Sequence, residues 1–474
     1  MRERAAVVLD VGKTLSKLSL WAPDGRLIAH CARANERIDA GSYLALNAAG
    51  IEEFLWDSLR NFGQLADIGA IIPVGHGAGA ALISERGLVV PPLDYEQPIP
   101  AAIRREYNCE RDPFMFTGSP ALPDGLNLGA QLFYLQATHP DLLSPGLIIL
   151  PWAQYWSWLL SGVAASEVTS LGCHTDLWRP LSRTPSDLSV RRGWSRQLAP
   201  LKSAGAILGT LRPEWARRSG LALDVQIHCG LHDSNAALLA ARAFPEIADS
   251  DSTVLSTGTW FVAMRTPGSG SSVNIAALDE TRDCLVNVDV LGNPIPSARF
   301  MGGREIELLT GLDTRRIDIR PDQPALVSKV SDVVASGAMV LPTLAPGCGP
   351  FPHARSRWIS MPDDETQRRT AVCLYAALLA ETALELVGAR DRLLIEGRFN
   401  ESEVFVRALA SLRPDLKVYV SHARGDVSFG ALRLLNPDLQ PETSLVRIQP
   451  LPDDLAAYRQ RWRQEAERME FASA

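Results

Sequence analysis

The sequence predicts a two-domain α/β protein, and three observations carry that expectation. Its 474 residues exceed one ordinary domain and suit two of a little over about 200 residues each. Strand-like and helix-like stretches alternate along the chain. Each half also opens the same way, with a strand, a turn of small residues and a returning strand. In the first half these are Ala5–Asp10, Val11–Thr14 and Ser16–Trp21; in the second, Thr253–Ser256, Thr257–Thr259 and Trp260–Arg265.

The elements follow in order. Ala5-Ala-Val-Val-Leu-Asp10 is a buried strand ending in an acid, and Pro23-Asp-Gly25 turns the chain into a third strand, Arg26–Cys31, giving a meander. Helical periodicity marks Gly50–Phe62, and Ile68–Val74 reads as a strand entering the Gly-rich turn Gly75-His-Gly-Ala-Gly-Ala80. Val89–Pro123 is dominated by prolines and turns and is expected to be a loop-rich insertion. Gly129–Gln136, the Trp-rich Trp152–Gly162 and Ala199–Gly220 are expected as helices. Gln226–Gly230 reads as a short strand and Asn235–Arg242 as a small-residue helix. The polar stretch Phe244–Ser252 is the expected boundary, giving domains 1–244 and 245–474. Thr366–Val387, Glu401–Leu412 and Phe429–Leu435 are expected as helices, with strands at Leu393–Ile395 and Lys417–Ser421. The alternating charges of Asp453–Glu470 suggest a helix with a solvated face.

Hydrophobic residues are 46% and charged residues 21%, a globular balance. The net charge is −7, so nucleic acid and anionic membrane are not expected as partners. The longest apolar stretches, such as Gly146–Trp152, fall far short of the roughly 20 residues of a membrane span. Met1-Arg-Glu-Arg4 runs into a strand without signal-peptide architecture. The seven cysteines form no C-x-x-C pair. Both features suit a cytoplasmic protein with free thiols.

Asp10-Val-Gly-Lys-Thr14 invites a P-loop reading, but Val7 stands where that motif needs its first glycine, and a strand follows instead of a helix. A β-hairpin turn that wraps phosphate fits better. Small residues let backbone N–H groups approach phosphate oxygens, and hydroxyls add donors. Gly12, Lys13, Thr14 and Ser16 form that turn, Lys17 adds a cation, and Asp10 is placed to hold Mg²⁺ through water. Ser256-Thr-Gly-Thr259 is a second copy, with Thr257, Gly258 and Thr259 as donors. Two such turns suit a nucleotide phosphate tail held from both sides of a cleft. His228 and His232 are not a zinc pair, since Gly230 breaks the helix that their spacing would need and no third ligand follows.

Asp10-x-Gly…Lys17, Gly230-Leu-His-Asp233, Ser256-Thr-Gly-Thr-Trp260 and Ala298-Arg-Phe-Met-Gly-Gly303 together resemble the FGGY-family carbohydrate kinases. The resemblance covers most of the chain in the right order. It implies two actin-like (RNase H-like) domains that close over sugar and ATP-Mg²⁺. It makes Asp233 the catalytic base, a role that a carboxylate suits in phosphoryl transfer; an N-cap role for Asp233 is the structural alternative. His232 and Ser234 would flank it at the sugar. Gly75 and His76 would face the ketose, as would His174, with Thr175, Asp176 and Trp178 beside it. The same segment also reads as a loop whose polar groups satisfy one another. Gly302, Gly397 and Asn400 would bind ATP, although Glu396-Gly-Arg398 departs from the family's Gly-Gly-rich pattern there. Asn287 and Asp289 are further candidates near the active cleft. The expected activity is ATP-dependent phosphorylation of a ketose such as L-rhamnulose, L-fuculose or xylulose at a terminal hydroxyl. A homodimer is compatible with the resemblance. The alternatives are a non-catalytic actin-like ATP-binding sensor, a filament-forming ATPase, or a superfamily ATPase or phosphatase.

Overall fold

The structure, a computed structural model, describes residues 4–143, 146–313, 318–421 and 427–473. The chain forms two compact units. The first comprises Met1–Ala243 with two later returns, Val286–Pro294 and Asp426–Gln440; the second comprises Phe244–Leu285, Ile295–Gly425 and Pro441–Ala474. The first crossing thus falls beside the polar stretch Phe244–Ser252, while the two returns have no signal in composition.

The first unit is built on a mixed sheet. Its strand order is Ile207–Thr210, Gln226–His228, Ile68–Gly75, Ala5–Val11, Leu15–Trp21, Leu27–Ala34, with the short strand Leu231–His232 also paired to Ile68–Gly75. Ala5–Val11 is buried throughout, as the apolar run Ala5–Leu9 requires of a central strand, and Asp10 is the one charged residue in it. It pairs antiparallel with Leu15–Trp21 and parallel with Ile68–Gly75. Helix Ala48–Leu65 is capped by the Asn47 side chain, which accepts the Gly50 N–H, and it buries Ile51, Leu55, Trp56, Leu59 and Phe62.

The second unit repeats the plan. Ser252–Thr257 pairs antiparallel with Phe261–Thr266 and parallel with Arg392–Gly397. Phe261–Thr266 continues to Pro294–Phe300 and Arg392–Gly397 to Lys417–Val420. The resemblance between the two strand–turn–strand openings is therefore carried into matching sheets, each with a central strand between a parallel neighbour and an antiparallel hairpin. Helix Glu365–Leu386 is buried along most of its length.

Three segments differ from expectation. Ala199–Gly220 is not one helix but strand Ile207–Thr210 followed by helix Pro213–Ser219. Pro213 has no N–H to give and starts a helix readily, so it begins a new element. Val89–Pro123 contains helices Ala101–Glu110 and Phe114–Thr117, each preceded by a proline, Pro100 and Pro113. The charged C-terminal helix, Ala456–Ser473, is only partly a solvated face. It buries Tyr458, Trp462 and Ala466, a stripe at i, i+4 and i+8. Arg459 and Arg463 of this helix pair at 2.9 and 2.7 Å with Glu381, which is fully buried.

Candidate active site

The register of the first sheet assembles the site. Val11 lies opposite Gly75, and Gly75 opposite His232, across parallel strands. Asp10, His76 and Asp233 therefore stand at the carboxyl ends of adjacent parallel strands, where open α/β sheets bind ligands. The His76 N–H donates to the Val11 carbonyl at 3.3 Å.

The first hairpin turn is fixed from within. The Gly12 N–H donates to Leu15 O (3.0 Å) and the Asn35 N–H to Thr14 O (2.8 Å). The Asn35 amide donates to Gly12 O, and the Ser16 hydroxyl donates to Asn35 Oδ1, each at 2.8 Å. Ser16 is fully buried, so its hydroxyl tightens the turn and is not at its mouth. Thr14 and Lys17 are exposed. Lys17 Nζ lies 3.9 Å from Asp10 Oδ2. Lys13 points elsewhere: its ammonium is paired with Asp94 and lies 4.5 Å from the centroid of the Tyr95 ring.

Asp233 is the first residue of helix Asp233–Ala241, just after strand Leu231–His232. The cap position itself is taken by His232. Asp233 Oδ1 accepts the Ser234 N–H at 2.5 Å and the Ser234 hydroxyl at 3.2 Å. His232 Nε2 lies 3.2 Å from the same oxygen. Asn235 Nδ2 is 3.3 Å from His232 Nδ1, which leaves the ring proton on Nε2 facing Asp233. Burial holds His232 below the usual imidazole range, against the pull of Asp233. His232 and Ser234 thus orient the carboxylate.

Behind them stands Glu167, fully buried. It accepts N–H bonds from Thr169 (2.9 Å) and Ser170 (3.2 Å) and the Thr169 hydroxyl (2.5 Å). Thr169 Oγ1 in turn accepts the His232 N–H at 3.0 Å. Burial raises the Glu167 carboxyl to about 7, despite these donors.

Gly75 lies in close contact with helix Trp152–Ser161: a Cβ there would stand 2.8 Å from the Ala153 nitrogen. Both ring nitrogens of His76 are buried without hydrogen-bond partners. Its ring meets Tyr95 edge-on at 5.5 Å and lies 6.1 Å from Trp152. Burial lowers its pKa to about 4, and Lys13 lowers it too, while Asp233 opposes both. At neutral pH it offers one donor and one acceptor.

The segment around His174 is a self-satisfied loop. His174 Nδ1 meets Leu126 O at 2.9 Å. Asp176 is fully buried and bound by Arg111 and Tyr107. Thr175 is buried on Leu171 O, and Trp178 is buried as well. Asp176, Thr175 and Trp178 therefore face the interior and do not line a pocket. Asp289 is spent on its own turn, accepting N–H groups from Leu291 (2.9 Å) and Asn293 (2.8 Å).

In the second unit the turn Gly258–Trp260 closes with a Gly258 N–H to Trp260 O bond of 3.0 Å. Thr259 is exposed. Thr257 is buried, its hydroxyl donating to Glu396 O (2.5 Å) and accepting the Phe399 N–H (3.1 Å). Helix Gly302–Thr310 starts hard against this turn: a Cβ on Gly303 would stand 2.0 Å from Gly258 O. A Cβ on Gly397, at φ +88°, would stand 2.2 Å from Thr257 O, so both positions require glycine. The Asn400 amide donates to Ser421 O at 2.6 Å, so it staples two strand ends. Glu396 Oε1 is buried without a partner, and burial raises its carboxyl to about 7.

A solved carbohydrate kinase from Novosphingobium aromaticivorans is 56% identical, with a TM-score of 0.93 over 97% of this chain and 100% of that one. The family model of the carbohydrate kinase FGGY C-terminal domain matches residues 249–443. The chain belongs to the FGGY-family carbohydrate kinases. The L-fuculokinase of Salmonella typhi is 25% identical over 56% of this chain, which spans 57% of that relative's length. A ligand-bound xylulose kinase from Lactobacillus acidophilus is 14% identical with a TM-score of 0.79, covering 99% of this chain and 98% of that one; it shares the fold. The fold of this FGGY kinase is the two-domain actin-like one.

Asp94 and Tyr95 of this FGGY kinase carry no signal in the sequence, because they lie in the proline-rich stretch Val89–Pro123. The sequence marks the Glu167 segment as polar but not its link to His232, since that link joins residues far apart in the chain.

Proposed function

We propose that this FGGY kinase transfers the γ-phosphoryl group of ATP to a terminal hydroxyl of a ketose such as L-rhamnulose, L-fuculose or xylulose. The carrying observation is the register that sets Asp10, His76 and Asp233 at adjacent strand ends. The sugar oxygen attacks the γ-phosphorus, the bond to the β,γ-bridging oxygen breaks, and the hydroxyl proton passes to Asp233 as ADP leaves. His76, neutral and with both nitrogens unpartnered, orients the sugar from the Gly75 turn. His232 and Ser234 fix the rotamer of Asp233. His174 remains at most a border residue, held on Leu126 O.

Gly12 closes the first turn, and the exposed Thr14 faces phosphate, with Lys17 adding charge. Gly258 closes the second, where the exposed Thr259 faces phosphate, while Thr257, Gly302, Gly397 and Asn400 shape it. Among the described residues no group of three or more His, Cys, Asp or Glu could hold a metal. That fits Mg²⁺ carried mainly by phosphate oxygens and water, with Asp10 as the protein's carboxylate. Mg²⁺ would neutralise charge on the phosphates. A cytoplasmic location and homodimer formation are parts of the same reading. Among the described residues no helix is long and apolar enough to cross a membrane.

The test is an ADP-release screen over ketoses, their alcohols and glycerol. Release that depends on a ketose supports the proposal. Sugar-independent hydrolysis would favour an ATPase or sensor, and glycerol as the best acceptor would overturn the ketose assignment.

A further inference from the structure

Lys13 sits in the turn of the first hairpin, yet its ammonium is drawn away from the turn's mouth. It pairs with Asp94 and lies over the Tyr95 ring, with Glu96 Oε2 at 3.8 Å. Asp94 is fully buried, and its Oδ1 also accepts the Glu96 N–H at 2.8 Å. A carboxylate so buried needs a cation beside it, so the lysine is anchored there. Tyr95 is also the ring that His76 meets edge-on. Burial lowers the His76 pKa, and Lys13 adds to that lowering while Asp233 opposes it. The Lys13 side chain retains 14% exposure, whereas Asp94 has none, so of the pair only the lysine reaches a ligand. Because Asp94 neutralises it, the ammonium offers N–H donors without a net local charge. Such a group suits a hydroxyl and gives little to a carboxylate.

We propose that Lys13 is a sugar-reading residue, held by Asp94 against Tyr95, that donates to a hydroxyl of a neutral ketose beside His76 instead of gripping nucleotide phosphate. The proposal rests on the kinase reading above. It assigns two sides to one hairpin: the backbone and Lys17 serve the phosphates, and the Lys13 side chain serves the acceptor.

The experiment is steady-state kinetics of wild type and Lys13→Met, with the best ketose of the ADP-release screen and ATP varied in turn. Loss of a charge-assisted hydrogen bond should raise the ketose KM about ten-fold or more. The ATP KM should stay within about three-fold of wild type, because uniform binding of ATP is untouched. A rise in the ATP KM with the ketose KM unchanged would overturn the proposal. Asp94→Asn frees the lysine and should also raise the ketose KM; its thermal melt checks folding, and Lys13→Met carries the test if that variant does not fold. A sugar acid of the same carbon count should not compete with the ketose in wild type. Competition at ketose-like concentrations would overturn the neutral-ligand assignment. Absence of ketose-dependent ADP release in wild type would remove the kinase reading itself, and the Lys13 role with it.

Discussion

Asp233 shows how a single side chain is oriented by its neighbours. Its Oδ1 takes the Ser234 N–H, the Ser234 hydroxyl and the facing edge of His232. Asparagine keeps an acceptor oxygen for these donors and loses the basicity, so Asp233→Asn should fold normally and lose on the order of 10²-fold or more in kcat. Activity within a few-fold of wild type would exclude Asp233 as base. The two threonines of the second turn should separate. Thr259 is exposed, and Thr259→Val should raise the ATP KM by the roughly 1.5–3 kcal/mol of a hydrogen bond to a charged group. Thr257 bonds Glu396 O and the Phe399 N–H. Thr257→Val should instead lower the melting temperature by orphaning those groups, at about 1–3 kcal/mol. An unchanged ATP KM in the first variant would make the second turn structural. Glu167 gives a pH signature. Its carboxyl is raised from 4.5 to about 7 by burial, so the folded state holds the proton more tightly than the unfolded chain. The stabilisation this brings is complete below about 4.5 and is lost as the pH rises through about 7. Wild type should therefore lose up to about 3 kcal/mol of stability relative to Glu167→Gln across that window. Melts of both proteins between pH 4.5 and 7.5 check this, and a constant difference would contradict it.

Among the elements, helix Gly302–Thr310 depends on the absence of side chains at its start. Gly303 has Gly258 O where a Cβ would lie, at 2.0 Å. Gly303→Ala should push the helix off the second turn, costing about 1–3 kcal/mol as overpacking does, and raise the ATP KM with little change in the ketose KM. Equal effects on both substrates would mean that the strain spreads beyond the turn. Helix Asp233–Ala241 has a similar constraint, since a Cβ on Gly430 would stand 1.7 Å from Ala236 O. Segment Val427–Leu432 thus packs, backbone to backbone, against the helix that begins with Asp233.

For the molecule as a whole, substrate choice is expected to be graded. Trp152 lies 6.1 Å from His76 and is itself buried, so it backs the imidazole with apolar surface. An apolar wall separates a methyl from a hydroxymethyl group by only roughly 1–3 kcal/mol. Values of kcat/KM for L-rhamnulose, L-fuculose, D-xylulose, D-ribulose and L-ribulose should therefore spread over about two decades, with glycerol below all of them. An all-or-none preference for one ketose would point to a hydrogen-bond reader beyond this wall.

The sequence by itself determined the strand–turn–strand opening of each half, because a short β-branched or apolar stretch followed by small residues makes a strand and a tight return, Ala5–Leu9 in the first half and Thr253–Leu255 in the second. It also determined Asp233 at the strand-to-helix step, since Gly230-Leu-His-Asp233 is a local pattern. The long helix Glu365–Leu386 was legible from its length and helix-forming residues, but the expected amphipathic face was not borne out, since Thr370–Leu384 is buried almost all round. What the sequence left open depends on partners distant in the chain. Lys13 looked like a phosphate grip until Asp94 and Tyr95, some eighty residues on, were seen to hold it. Ser16, Thr257 and Asn400 looked like donors to ATP, but their polar groups are engaged by Asn35, Glu396 and Ser421. The Glu167–Thr169–His232 chain is invisible to spacing, because it spans sixty-odd residues and one hydrogen bond of 3.0 Å. Local sequence sets backbone conformation, which is a short-range property. Which donor meets which acceptor is decided only when the sheets form, because a buried polar group must then find its partner wherever the fold has brought one.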